Sequence, residues 1–238
     1  MGRYISLVAL LLALVTATGA SAQQKTLQFL NPTDVDPARL LPAPPADGSA
    51  AHQAELAELR RIATETTPDR WDQAKWDDEN ENGTIFQSAI APGFDLSALP
   101  ATAHLLADVR NEEAIAASKA KDLFKRNRPW VIDTTLRTCA REDAPQSSYP
   151  SGHSTMAFAM AVVLAQAMPD TAPQIMNRAR DYAESRLICA AHYRSDVVGG
   201  QALGTAVGGE LLQNAKFHQE LVAAEQELQA AHLTAPTN

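Results

Sequence analysis

His192 and Asp196 stand four residues apart in "SRLICAAHYRSD" (185–196). On a helix, that spacing puts the carboxylate one turn from the imidazole. Such a carboxylate keeps one ring nitrogen protonated and turns the other outward as a nucleophile. Arg186, in the same stretch, offers a planar donor fork that matches phosphate oxygens. Further upstream, "YPSGHS" (149–154) opens a long apolar segment. Pro150 and Gly152 shape a turn there, and the unpaired backbone N–H groups at Ser151 and Gly152 suit a phosphate-like anion. Ser151 adds a hydroxyl donor, and His153 stands beside the anion as a proton donor. The third stretch is "KAKDLFKRNRPW" (119–130), in which Lys121 and Arg128 lie seven apart. Two helical turns separate them, so both project from one face, and Pro129 predicts that the helix stops near Arg128. Taken singly, each stretch also has a plain reading: a surface ion pair, a capped helix, a cation at a helix C-terminus.

The elements that must position these residues read as helices. Helical spacing of apolar residues begins near Ser49 in "AAHQAELAELRRIATET" and resumes over about 96–109, 111–127, 153–168, 171–187, 193–214 and 216–231. Strand-like alternation is scarce, and an all-α, single-domain helical bundle over 49–238 follows. Residues 23–48 form a proline-rich N-terminal arm: "NPTDVDPARLLPAPPADG" carries five of the fourteen prolines and predicts irregular chain, not helix. The acidic run "WDDENENGT" reads as a solvated turn. Gly200, Gly204 and Gly208 recur every fourth residue, a stripe along which a second helix approaches closely.

Residues 1–22 have the pattern of a cleavable secretory signal: Arg3, an apolar run from about Ile5 to Val15, then Ala20-Ser21-Ala22. The run is shorter than the roughly 20 residues that span a bilayer. The expectation is a periplasmic or secreted protein with no membrane span in the mature chain. Removing 1–22 takes Arg3 and no acidic residue, so the formal charge of −8 becomes −9. Such a balance disfavours nucleic acid as a partner but leaves room for a basic pocket that takes a small anion. Only two cysteines are present, Cys139 and Cys189. An oxidising compartment suits one disulfide between them, with two buried free thiols as the alternative. Two are too few for a cysteine-based structural zinc site.

The three stretches fit one order: Lys-x6-Arg-Pro, 20 residues, Pro-Ser-Gly-His, 31 residues, Ser-Arg-x5-His-x3-Asp. This resembles the signature of the type 2 phosphatidic acid phosphatase and vanadium haloperoxidase superfamily. Within it, "SYPSGH", "SRLICAAHYRSDV" and "LRTCARED" are similar to class A bacterial nonspecific acid phosphatases, over about Ala103 to Ala231. Ser147 and Ser154 stand where that family leads one to expect Gly and Thr. Trp130, Ala190 and Tyr193 replace Phe, Gly and Trp, and none of the five changes removes a catalytic group.

The resemblance implies a secreted, metal-independent acid phosphatase of broad specificity acting on small phosphorylated substrates. In it Lys121, Arg128 and Arg186 surround the phosphoryl oxygens, and Ser151 and the Gly152 N–H donate to them. His192 attacks phosphorus and becomes a phosphohistidine, Asp196 orients it, and His153 protonates the leaving group. No metal and no other cofactor is required, vanadate inhibits, and the optimum is acidic. Family habit and packed helices point to a homo-oligomer. A soluble lipid-headgroup phosphatase and a vanadium-dependent haloperoxidase are the alternative enzymes, and a phosphate-binding protein with idle histidines is the non-enzymatic one.

Overall fold

The computed structural model describes residues 26–141 and 143–234. The expected leader 1–22 therefore lies outside the described residues. Among the described residues ten α-helices follow one another: α1 Pro37–Leu40, α2 Ala50–Glu65, α3 Pro68–Glu79, α4 Gln87–Ile90, α5 Pro100–Phe124, α6 Pro129–Ile132, α7 Gly152–Ala167, α8 Ala172–Ile188, α9 Arg194–Gln213 and α10 Ala215–Ala230. No strand occurs among the described residues, as the all-α reading expects.

Helix α7 is the centre of the bundle. "MAFAMAVVLAQA" is apolar around its whole circumference, which marks a helix enclosed on every side. It packs against α5, α8 and α9, while α10 covers α5 and α9, and α2 and α3 lie on α8. Helices α7 and α9 approach closely, and the glycine stripe makes this possible. A Cβ at Gly204 would stand 2.2 Å from the Thr155 backbone oxygen, and one at Gly200 would stand 2.5 Å from that of Ser151. At Gly208 the same atom would come within 2.9 Å of the Ala159 oxygen. Only glycine lets α9 lie this near the backbone of α7.

Caps explain where the helices start. Ser49, Thr67 and Asn214 accept from N–H groups in the first turns of α2, α3 and α10, and Pro68 and Pro100 occupy the first helical positions of α3 and α5. The N-terminus of α5 has no side-chain cap of its own. Glu227 of α10 supplies one, accepting from the Ala101 and Thr102 N–H groups at 2.9 and 2.8 Å.

Four readings change. The two helices expected over about 96–109 and 111–127 are one, α5, because Arg110 pairs with Glu113 one turn on and with Glu81 outside, so a polar stretch continues the helix. That helix also ends sooner than Pro129 implies: Lys125 adopts the left-handed region at φ 46, so Arg128 lies beyond the helix, as the residue before α6. The proline-rich arm contains the single turn α1, and Phe29, Leu30, Val35 and Leu41 join the same buried core as the bundle. The buried Glu112 fixes it there by accepting from the Gln28 and Leu30 N–H groups at 2.6 and 3.2 Å. Lastly, "WDDE" is no solvated turn but the last turn of α3, and Asp77 within it is fully buried. Donors from a distant helix satisfy it: Arg178 and Ser185 of α8 both donate to Asp77.

Candidate active site

One end of α7 gathers all the side chains singled out by chemistry. His192 sits in the turn between α8 and α9, not on a helix as its spacing from Asp196 suggests. Helix α8 ends at Ile188, Cys189 caps it, and Ala190 turns the chain at φ 47. That is the left-handed region, where the expected glycine would be unstrained. Cys189 is bonded to Cys139, which ties this turn to the 133–147 loop.

The His192 ring is buried, with 1 % exposure. Its Nδ1 lies 2.7 Å from the Ser148 backbone oxygen, which accepts the Nδ1 proton, and 3.6 Å from Asp196 Oδ2. The carboxylate is thus one step removed. Asp196 stands in the first turn of α9, where it accepts from the Tyr193 N–H at 2.8 Å, from Ser148 Oγ at 2.5 Å and from Arg126. Arg126 also binds Glu55 and Ser195 and lies 4.1 Å above the Tyr193 ring. Burial pushes the Asp196 carboxyl up to about 6 against the pull of Arg126, Ser148 and the Tyr193 N–H. Burial, then Arg128, Lys121, Arg186 and His153, hold His192 well below the ordinary histidine range, so the ring is neutral. With Nδ1 protonated, its lone pair is on Nε2, which accepts from Arg128 Nη1 at 3.3 Å.

The three cations converge here. Arg128 also donates to the Ala191 oxygen and to Ser147 Oγ, and pairs with Asp143 at 3.0 Å. Lys121 Nζ donates to the Ser147 backbone oxygen. Burial first, then repulsion by Arg128, lower Lys121 to about 8. Arg186, 1 % exposed, donates to Asp78, and its Nε is buried with no hydrogen-bond partner. Such a donor is an unmet demand for an acceptor at this spot.

Ser151 caps α7, accepting from the Ser154 N–H at 3.3 Å, while its own N–H donates to the Asp196 backbone oxygen. Gly152 opens the helix, and a Cβ there would lie 3.8 Å from both Lys121 Cε and Glu81 Oε1. His153 follows, stacked on the Tyr182 ring. Its Nε2 is 3.2 Å from the Asp78 oxygen and its Nδ1 is 3.4 Å from Glu81. Burial and the neighbouring cations, Arg186 first, hold His153 well below its ordinary range.

The reading from spacing thus has every one of its residues brought together. It missed Arg126, Ser148, Asp78, Glu81 and Asp143. Asp78 and Glu81 lie in the run read as solvated, and no local signal ties them to His153, over 70 positions away. Three of the departures from the expected pattern touch the site: Ser147 contacts Arg128, Ser154 Oγ lies 3.0 Å from Ser151 Oγ, and the Tyr193 ring lies under Arg126.

The PAP2 superfamily model matches residues 102–219, the span that carries all three stretches. An acid phosphatase of Zymomonas mobilis is 32% identical over 211 residues, covering 85% of this chain and 79% of that protein. The chain belongs to the PAP2 superfamily. A non-specific acid phosphatase of Salmonella typhimurium is 31% identical over 91% of this chain and 90% of its own length. One from Providencia stuartii is 27% identical over 83% and 82%. Solved structures share the fold: Aquifex aeolicus LpxE has a TM-score of 0.51 at 21% identity, covering 64% of this chain and 91% of that one. A transmembrane PAP2-type phosphatidylglycerolphosphate phosphatase of Bacillus subtilis reaches 0.53 at 18%, covering 68% and 85%. Among the described residues, no helix is long and apolar enough to cross a membrane.

Proposed function

We propose that this PAP2 chain is a metal-independent acid phosphatase that hydrolyses small phosphate monoesters of varied alcohols through a phosphohistidine, after export from the cytoplasm. The observation that carries the reading is the buried, unpartnered Nε of Arg186 beside two further cations and a neutral histidine. A tetrahedral dianion supplies what those donors lack.

Carboxylates hold two of the cations: Asp78 on Arg186 and Asp143 on Arg128. An incoming phosphoryl group takes over Arg128, Arg186 and Lys121, together with the Ser151 hydroxyl and the Gly152 N–H. Withdrawing Arg128 Nη1 from His192 frees the Nε2 lone pair for in-line attack. The N–P bond forms as the ester P–O bond breaks, and the departing oxygen takes the His153 proton. His153 then removes a proton from water, which attacks phosphorus and returns His192. The three cations stabilise charge on the equatorial oxygens, the role divalent ions have in other phosphoryl-transfer sites. A homo-oligomer of this unit is part of the same reading.

The test is a panel of phosphate esters with EDTA, with vanadate, and with His192→Ala. The expected result is EDTA-resistant, vanadate-inhibited hydrolysis, an acid-labile phosphoenzyme on rapid quenching, and no turnover in the variant. Loss of activity in EDTA, or turnover by His192→Ala, overturns it.

A further inference from the structure

Glu81 faces the proton donor. Its Oε1 stands 3.4 Å from His153 Nδ1, while Oε2 is gripped by Arg110 Nη2 at 2.7 Å and the Glu81 backbone oxygen accepts from Arg110 Nε at 3.4 Å. The other ring nitrogen, Nε2, lies 3.2 Å from the Asp78 backbone oxygen. A backbone oxygen only accepts, so the neutral ring must place its single proton on Nε2. That leaves the Nδ1 lone pair pointing at a carboxylate, an opposed arrangement. The imidazolium satisfies both neighbours, and the neutral ring satisfies one.

We infer that Glu81 is the positioning residue of the general acid: it holds His153 as an imidazolium in the substrate complex, with Arg110 fixing the carboxylate in place. The inference rests on the phosphatase reading above. The groups facing His153 are Lys121 and Arg110 from α5, Arg186 and the Tyr182 ring from α8, His192 from the turn before α9, Asp78 in the last turn of α3 and Glu81 just beyond it. Burial first, and then Arg186, Arg110 and Lys121, favour the neutral ring. A bound phosphoryl dianion neutralises Lys121 and Arg186, and Arg110 stays paired with Glu81 and Glu113. The balance then turns towards the charged ring. In the chemical step the leaving oxygen replaces the Asp78 carbonyl as partner of Nε2–H. The Nε2–H bond breaks, the new O–H bond forms on the leaving oxygen, the electron pair of the broken P–O bond stays with that oxygen, and Nδ1–H stays on Glu81.

The experiment compares wild type, Glu81→Gln, Glu81→Asp, His153→Ala and the His153→Ala/Glu81→Gln double variant. Each is assayed on 4-nitrophenyl, phenyl and glycerol phosphates across pH, with thermal melting of each variant. A nitrophenolate departs without a proton, whereas a glycerol alkoxide needs one. Glu81→Gln is expected to lose about tenfold in kcat on glycerol phosphate, within the roughly 10²–10⁴ that proton transfer supplies, and progressively less on the better leaving groups. Its alkaline limb is expected to move down by about one pH unit, since removing the carboxylate disfavours the imidazolium, with each unit worth tenfold. Glu81→Asp restores most of the loss, and in the His153→Ala background Glu81→Gln adds nothing. A uniform loss on all three esters with an unmoved limb, or a full additional loss in the double variant, overturns the inference while the phosphatase reading stands. A wild type inert towards every ester overturns both.

Discussion

His192 Nδ1 lies 2.7 Å from the Ser148 backbone oxygen and 3.6 Å from Asp196, so the acceptor that fixes the tautomer is a carbonyl. Asp196 acts on that carbonyl's own residue, accepting from Ser148 Oγ, and on the turn itself through the Tyr193 N–H. Its second oxygen is held by Arg126. The aspartate is therefore the keystone of a loop that presents His192, and the imidazole feels it at one remove.

That geometry separates two substitutions. Asp196→Asn removes one of the two carboxylates that pair with the buried Arg126, Glu55 being the other. Breaking a buried pair outright costs about 3–5 kcal/mol, and the remaining Glu55 pair keeps the loss at or below that range. A large fall in melting temperature and a loss in kcat of about 10²-fold or more are expected. Ser148→Ala keeps the backbone oxygen and removes only a hydrogen bond to a charged group, worth about 1.5–3 kcal/mol. Its kcat is expected to fall by less than about tenfold. Parallel melting curves and kcat values decide the point: equal kcat losses in the two variants would mean that Asp196 acts on His192 through the Ser148 hydroxyl alone, and not through the Tyr193 N–H and Arg126 as well.

Lys121 gives the pH dependence of anion binding. Its folded value of about 8 lies below the ordinary lysine range, because burial and Arg128 penalise the charged form. In the free protein the ammonium is therefore lost as pH rises through about 8, and above that pH phosphate binding requires the uptake of a proton. The affinity for inorganic phosphate is expected to fall about tenfold per unit above that pH. In Lys121→Arg the cation persists across this range and the fall should vanish. Titration calorimetry from about pH 6 to about pH 10, which brackets the ordinary and the lowered lysine ranges, measures both. On the acid side, His192 stays neutral because burial and the cations depress it, so turnover persists well below pH 6.5. A pH–rate profile climbing steadily into alkaline conditions would contradict the assignment.

The candidate catalytic groups were legible because each lies in a short stretch whose spacing is local: Lys121 to Arg128, Ser151 to His153, Arg186 to Asp196. The all-α architecture and the glycine stripe were legible for the same reason, since periodicity is a property of neighbouring residues. What stayed hidden is whatever depends on partners distant in sequence. Asp78 and Glu81 read as solvated acids because Arg186 and Arg110, which pair with them, are 108 and 29 residues away. Arg110 read as a break between two helices because a polar run interrupts the apolar spacing there, and its pairing with Glu81 is not a local property. The end of α5 was misplaced since Pro129 sets a limit on a helix, whereas the left-handed turn at Lys125 stops it earlier.

Two glycines on α9, Gly204 and Gly209, put the packing of α7 and α9 to a direct test. A Cβ at Gly204 would meet the Thr155 oxygen at 2.2 Å and the Ala159 nitrogen at 3.0 Å, both backbone atoms of the central helix. Neither can yield without moving α7, whose first turn carries Gly152 and His153 behind the Ser151 cap. Gly209, by contrast, has nothing within 4 Å of its would-be Cβ. Gly204→Ala is expected to destabilise by about 1–3 kcal/mol or more, as overpacked cores do, and to depress kcat because the α7 start shifts with it. Gly209→Ala is expected to stabilise by about 0.5–1 kcal/mol, the helix-propensity gain of alanine in an unobstructed position. Denaturant midpoints of the two variants measure the difference. Similar stability changes for both would mean that α9 does not rest on the α7 backbone as closely as the stripe of small residues requires.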